Sequence, residues 1–173
     1  LSFPLKKETD CRNTENYVKA LQQEIRNPFK LPESPAEVDT IYIGGGTPSL
    51  LSERQTGMIL DAINWKFVVK PNAEITMECN PGMVTAESLR AYRDLGINRL
   101  SIGIQSAVEK ELALLGRIHT FSQAKQAVSW AREAGFTNLS VDLMSAIPGQ
   151  TLASYEHSLR EILALKPQHI SSY

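Results

Sequence analysis

Three consecutive glycines, Gly44, Gly45 and Gly46, precede Thr47 in the segment of the chain that is best suited to binding a ligand. A Walker A loop would end in Gly-Lys-Ser/Thr, and a dinucleotide fingerprint would need a G-x-G-x-x-G pattern opening a helix; the sequence has neither here. Glycines leave backbone N–H and C=O groups uncovered, so a small zwitterion could pair with them. A single glycine would satisfy a tight turn that needs positive φ, whereas three in succession favour the approach of a ligand.

Two carboxylates follow apolar segments further along the chain. Glu78 could accept two hydrogen bonds from a diol such as a ribose, and a solvated strand end explains it equally well. Asp142 lies between apolar residues, so we expect it to be partly buried. Buried carboxylates are rare unless they are paired, and Arg99, Arg117 or a ligand could be the partner.

The histidines and cysteines do not show the spacing of a metal site. His119 and His157 are isolated and lack the spacing of metal ligands. Cys11 and Cys79 are the two cysteines, and they form no Cys-x-x-Cys pattern. We therefore predict no metal site and no catalytic residue within this chain. Arg117 lies in a predicted loop, where an arginine is a solvated charge unless a pocket faces it.

Alternating segments indicate the elements that must position these residues. Five apolar, β-branched segments predict strands, and amphipathic segments with helical spacing lie between them. The predicted strands are Thr40–Ile43, Glu74–Glu78, Leu100–Ile104, Leu139–Leu143 and His169–Ser172. Capping-box patterns predict helix starts at Ser52, Ser106 and Thr120, and Gly96 and Gly135 predict helix ends. This pattern predicts an α/β fold with parallel strands and a helix between each pair.

Polar or glycine positions lie at the carboxyl ends of four successive predicted strands. They are the triple glycine, Glu78, Gln105 and Asp142. Because ligands bind at the carboxyl edge of parallel sheets and barrels, we expect these residues to share one cleft. A helix over 13–26 comes before the first predicted strand, so we expect a preceding strand to be missing from this chain. The segment Pro28–Pro35 predicts a surface loop.

The composition excludes several classes of protein. Eighteen basic and nineteen acidic residues give a net charge of -1, which leaves no electrostatic footprint for nucleic acid or an anionic membrane. No apolar run approaches the roughly 18 residues of a membrane span, and no signal peptide opens the chain. With two cysteines in 173 residues, we expect one domain in the reducing cytoplasm.

Five ordered motifs carry a resemblance to a known family. They are Ile43–Ser49, Glu78–Gly82, Arg99–Ser106, Leu115–His119 and the segment from Asp142 to Thr151. Together they resemble the radical S-adenosylmethionine proteins of the oxygen-independent coproporphyrinogen III oxidase family, and Leu115–His119 is more similar to its heme-chaperone (HemW) branch. The resemblance implies an incomplete radical-SAM (β/α)6 partial TIM-like barrel. It makes 1–173 a single core domain that lacks the first strand, with its cluster loop, and the C-terminal region.

The same resemblance assigns roles to residues. Positions that would bind S-adenosylmethionine are Gly44, Gly45, Gly46, Thr47, Glu78, Gln105, Arg117 and Asp142. A [4Fe-4S] cluster would be held by Cys-x-x-x-Cys-x-x-Cys in the full-length protein, and neither Cys11 nor Cys79 matches a position in it. The sequence departs from the family pattern at Ser145-Ala146-Ile147, where Tyr-Gly-Leu is usual, and at Ala107, where an aromatic residue is usual.

Two functions follow from the resemblance. The first is a heme chaperone that binds heme and transfers it to acceptor proteins. The alternative is an oxygen-independent coproporphyrinogen III dehydrogenase, which forms protoporphyrinogen IX by oxidative decarboxylation. In either case we expect this segment alone to present part of the S-adenosylmethionine pocket and to be unable to start the reaction, because the cluster ligands lie elsewhere.

Overall fold

The computed structural model describes residues 10–27 and 36–173, so the predicted loop Pro28–Pro35 lies outside the described residues. The strands are β1 (Glu37–Ile43), β2 (Val68–Cys79), β3 (Arg99–Gln105), β4 (Asn138–Leu143) and β5 (His169–Ser172). The helices are α1 (Asp10–Arg26), α2 (Glu53–Lys66), α3 (Ala86–Asp94), α4 (Glu109–Leu114), α5 (Phe121–Glu133) and α6 (Leu152–Ala164). A short 3-10 turn, Pro48–Leu50, follows the glycine loop.

The strands form one parallel sheet in the order β1-β2-β3-β4-β5. Each connection steps to the neighbouring strand in the same direction. Right-handed crossovers that all step one way place their helices on the same face, and the twisted sheet then curls away from them. The result is a half-barrel with helices outside, which confirms the predicted partial barrel of parallel strands.

The two faces of the half-barrel differ in chemistry because the side chains of a strand alternate between faces. The register pairs Glu78 with Ser101 and Ser101 with Ser140, so these polar side chains share the inner face. The residues between them point outward and are buried beneath the helices. The largest of these outward residues are Met77, Leu100, Ile102, Leu139 and Leu143. The apolar core therefore lies between sheet and helices, and the concave face is polar.

Local signals explain most helix boundaries. The capping boxes predicted at Ser52 and Thr120 are complete, with each hydroxyl accepting from the backbone N–H three residues on. Gly96 and Gly135 end α3 and α5 with φ of +94° and +90°, as predicted. These positive φ values are strained for any residue with a side chain.

The capping box predicted at Ser106 is wrong. Ser106 is fully buried, α4 begins only at Glu109, and its N-cap is Val108. The carboxylate of Glu109 instead accepts from the backbone N–H of Phe121 at 3.0 Å, the first residue of α5. The connection from β3 to β4 holds the two helices that the predicted starts at Ser106 and Thr120 imply, but the first of them begins later than predicted.

The helix α1 packs against α2, where Gln22 Nε2 donates to the carbonyl of Met58 at 2.8 Å. Throughout residues 10–27 and 36–173, no helix has the combined length and apolarity that crossing a bilayer requires.

Candidate functional site

A crevice of about 240 Å³ opens at the carboxyl edge of the sheet. Six residues that the sequence predicted for a binding site line it: Gly46, Thr47, Glu78, Gln105, Arg117 and Asp142. Gly44 and Gly45 belong to the same loop but do not line the crevice. The four strand ends that the sequence grouped together therefore meet in one place.

The glycine loop is fastened to the neighbouring strand by Glu78. The backbone N–H of Gly45 donates to Glu78 Oε2 at 3.0 Å, and the hydroxyl of Tyr42 donates to Oε1 at 2.9 Å. A Cβ on Gly44 would lie 2.6 Å from the Tyr42 ring and 2.9 Å from the Glu78 carboxyl carbon, so this close approach requires glycine. Gly45 and Gly46 adopt φ of +83° and +66°.

Local geometry thus accounts for all three glycines, and the positive φ of two of them agrees with the tight turn considered from the sequence. The space beside the loop is nevertheless open, because nothing lies within 4 Å of a Cβ built on Gly45 or Gly46. A carboxylate has about four lone-pair sites, and Gly45 N and the Tyr42 hydroxyl occupy two of those on Glu78. Backbone groups and a carboxylate therefore both remain available to a ligand.

Asp142 is half-buried and accepts from the hydroxyl of Ser101 at 3.2 Å. Burial raises the pKa of Asp142 above its ordinary value and the charge of Glu78 raises it further, while the Ser101 bond, Arg117 and Arg99 lower it in part. The partner closest to this carboxylate is therefore a neutral hydroxyl rather than one of the two arginines considered from the sequence. Two carboxylates within electrostatic range give the crevice an affinity for cations.

Arg117 is half-buried with its guanidinium turned into the crevice, and is not a solvated loop charge. Its Nη2 donates to the carbonyl of Gly103 at 3.2 Å, and its buried Nε has no partner within the described structure. A Cβ on Gly103 would lie 2.8 Å from Nη2, so glycine on β3 makes room for the guanidinium. A buried N–H without a partner is costly, and the guanidinium that lines the crevice is suited to pair with an anionic group.

Gln105 ends β3 in a left-handed conformation, with φ of +73°. The hydroxyl of Tyr173 donates to its side-chain Oε1 at 2.8 Å, and Met144 N donates to its backbone carbonyl at 2.9 Å. Tyr173 lines the crevice, and so do Ser101 and Gly103. Sequence reasoning missed these three residues, because a lone tyrosine, serine or glycine has no distinguishing spacing.

A second polar layer lies below the crevice on the same inner face. Arg99 Nη1 is 3.8 Å from Glu74 Oε1 and donates to Thr76 Oγ1 at 3.2 Å. Asn138 Nδ2 donates to Glu74 Oε2 at 3.4 Å. The interiors of closed TIM barrels are filled by bulky apolar side chains, whereas this inner face is polar and can be wetted. The alternation in Glu-Ile-Thr-Met-Glu and Asn-Leu-Ser-Val-Asp-Leu was the signal that could have predicted it.

Metal ligands are not clustered in the part of the chain that the structure describes, since no group of three or more His, Cys, Asp or Glu residues could hold an ion there. Burial raises the pKa of the Cys79 thiol to about 12, so this cysteine stays protonated. His119 is buried, with Nε2 placed 3.3 Å from the carbonyl of Ile104, and burial lowers its pKa. His157 is exposed on α6.

Comparison with known proteins gives a consistent result. The family model of the Radical SAM superfamily matches residues 7–162. The chain is 40% identical over 162 residues to the heme chaperone HemW of Bacillus subtilis and 41% identical over 159 residues to that of Escherichia coli. Each alignment covers 92% of this chain and 42% of the relative, so the chain spans about two fifths of the length of these relatives.

Among solved structures, the chain is similar to the coproporphyrinogen III oxidase HemN of Escherichia coli, a radical SAM enzyme. The TM-score is 0.85 at 28% identity, and the match covers 98% of this chain and 39% of that one. The order of the parallel strands and the polar edge described above thus belong to a fold that other proteins share.

Proposed function

This chain belongs to the radical SAM superfamily, and from that premise we propose that its crevice binds S-adenosylmethionine. The observation that carries the proposal is the convergence on one cavity of open glycine backbone, two carboxylates and a guanidinium with a free N–H. S-Adenosylmethionine is a cation with an amino group, a carboxylate and a ribose diol. Each of these groups has a complementary partner in the crevice.

The residues divide between the ends of such a ligand. Backbone groups of Gly44, Gly45, Gly46 and Thr47 offer partners to its amino acid portion, and Glu78 adds a carboxylate with two free acceptor sites. The guanidinium of Arg117 pairs with a carboxylate of the ligand. The ionised form of Asp142 accepts from a hydroxyl or an amino group, and Gln105 contributes an amide held by Tyr173.

The described residues do not fit a [4Fe-4S] cluster. Such a cluster needs cysteine thiolates, and the buried thiol of Cys79 keeps its proton. The proposal therefore gives this chain the binding and orienting of S-adenosylmethionine and places the cluster ligands elsewhere in the intact protein. No chemical step is assigned to a metal centre within these residues.

Titration calorimetry of S-adenosylmethionine into the intact protein tests the proposal. Gly46→Val places a β-branched side chain on the wall of the crevice, so we expect binding to fall below detection. Gly96→Val is the matched control, since Gly96 also has positive φ and open space around its Cβ but ends α3 at the opposite edge of the sheet. Equal binding by both variants, or no binding by the wild type, would refute the proposed site.

For the whole protein we propose a heme chaperone, which binds heme and passes it to an acceptor protein. The support is the 40% and 41% identity to proteins named heme chaperones, compared with 33% to a protein named oxygen-independent coproporphyrinogen III oxidase. The second candidate is that oxidase activity, which the TM-score of 0.85 favours. Addition of heme to the intact protein should shift the Soret band, and anaerobic turnover of coproporphyrinogen III would instead establish the oxidase.

A further inference from the structure

A buried carboxylate outside the crevice joins three segments of the fold. Glu111 on α4 is 5% exposed. Its Oε2 accepts from Ser106 Oγ at 2.6 Å and from Gln150 Nε2 at 3.0 Å, and its Oε1 accepts from Ser154 Oγ at 2.7 Å. These donors come from the end of β3, from the loop after β4 and from the first turn of α6.

The carboxylate is well satisfied where it lies. Burial raises the pKa of Glu111, but the hydrogen bonds from Ser106, Ser154 and Gln150 outweigh burial, so the net pKa is below its ordinary value. Glu111 is therefore ionised at neutral pH. Charge-assisted hydrogen bonds are stronger and shorter than neutral ones, so this group fixes its donors firmly.

The donors of Glu111 lie on both sides of Gln105. Ser106 follows Gln105 directly, and its hydroxyl also accepts from Val108 N at 2.9 Å. On the other side, Gln150 Nε2 donates to the carbonyl of Met144 at 3.4 Å, and Met144 N in turn donates to the carbonyl of Gln105. Gln105 needs this support, because a left-handed conformation is unfavourable for a residue with a side chain.

We infer that Glu111 is a positioning residue of the crevice: its carboxylate, through Ser106, Gln150 and Met144, holds Gln105 in the left-handed conformation that turns its amide toward the ligand. The inference rests on the proposed function, that the crevice binds S-adenosylmethionine. Glu111 itself does not line the crevice. Its effect on binding must therefore pass through Gln105.

A double-mutant cycle on the intact protein tests this route. Glu111→Gln keeps the size of the side chain and removes its charge. Without this support, Gln105 can leave the left-handed conformation, and only a minor fraction of the protein then has the binding-competent form. The apparent affinity falls in proportion to that fraction. We expect the dissociation constant of S-adenosylmethionine to rise roughly five- to thirtyfold, the range that the left-handed penalty implies. In the Gln105→Ala background, the same substitution should change the constant by less than about twofold.

Controls separate this role from simple destabilisation. All titrations are run well below the unfolding midpoint of each variant, and Gly135→Ala, which strains the far end of α5, should lower the midpoint without weakening binding. If Glu111→Gln does not fold, Gln150→Ala takes its place in the same cycle. Gln150 lies in a loop, and its replacement removes one hydrogen bond to the Glu111 carboxylate.

The outcomes distinguish this inference from the function on which it rests. A wild type that fails to bind S-adenosylmethionine refutes the proposed function. A wild type that binds, together with a Glu111→Gln or Gln150→Ala variant that binds equally well, refutes the positioning role alone. A loss of affinity that persists unchanged in the Gln105→Ala background also overturns it, because Glu111 would then act by another route.

Discussion

Replacement of Glu78 by alanine removes the carboxylate that joins the glycine loop to β2. In the folded protein, Glu78 accepts from Gly45 N and from the Tyr42 hydroxyl, and both bonds are exposed to solvent. Exposed donors recover water partners, so we expect Glu78→Ala to lower the free energy of unfolding by only about 1 kcal/mol. The loop should keep its fold.

The effect on binding should be larger than the effect on stability. A hydrogen bond to a charged group contributes about 1.5–3 kcal/mol, and each 1.4 kcal/mol changes an affinity tenfold. If one such bond joins Glu78 to S-adenosylmethionine, Glu78→Ala raises the dissociation constant by roughly 10- to 100-fold. Titration calorimetry on the intact protein measures this change, and chemical denaturation measures the stability.

Glu74→Ala provides a matched control. Glu74 lies on the same strand and the same inner face as Glu78, and it is bonded to Arg99 and Asn138 rather than to the glycine loop. We expect Glu74→Ala to destabilise the protein to a similar extent and to leave the dissociation constant within twofold. Equal losses of affinity in the two variants, or an unchanged affinity in Glu78→Ala, would show that Glu78 does not contact the ligand.

Three further outcomes follow from the same structure. Tyr42→Phe deletes one donor to Glu78 and should weaken S-adenosylmethionine binding about two- to fivefold by calorimetry, with little loss of stability; a stronger effect would mean that Tyr42 touches the ligand itself. Because the folded pKa of Asp142 is raised, its contribution to stability is present below the ordinary value of 3.8 and is lost as pH rises through the folded pKa. Asp142→Asn should therefore stabilise the protein relative to the wild type more at pH 7 than at pH 3.5, and it should weaken ligand binding. If chemical denaturation shows no larger gain in the free energy of unfolding at pH 7 than at pH 3.5, the burial argument is contradicted. Ala146 has φ of +58°, so Ala146→Gly should stabilise the protein by about 0.5–1 kcal/mol in urea denaturation, and a loss of stability would contradict the strain assigned there.

The sequence predicted five parallel strands alternating with helices, because the central strands carry apolar residues that pack beneath the helices. It failed at the start of β2, which begins at Val68 rather than Glu74. Proline is disfavoured within strands, so Pro71 does not fit the pattern of a continuous strand. In the structure, Pro71 lies in an irregular stretch: Val69 pairs with Val38, Glu74 pairs with Thr40, and the residues between have no partner on β1.

Site residues at the carboxyl ends of strands could be predicted from the sequence. Contacts between side chains that are distant in the sequence could not. Glu78 and Asp142 lie at the carboxyl ends of β2 and β4, and the carboxyl ends of parallel strands meet at one edge. Tyr173 reaches Gln105 across β4, a contact that only the curl of the sheet creates. Ser106 fits the capping-box pattern, but burial turns its hydroxyl to Glu111, and no local pattern carries that information.

A crystal structure of the intact protein with S-adenosylmethionine tests the central claim most directly. We expect the amino acid portion of the ligand to lie against the backbone of loop 44–47, with a ligand oxygen within hydrogen-bond distance of the Arg117 guanidinium. We also expect Glu78 and Asp142 within reach of the bound molecule. Ordered S-adenosylmethionine at another place, with none of these residues in contact with it, would contradict the claim that this crevice is its binding site.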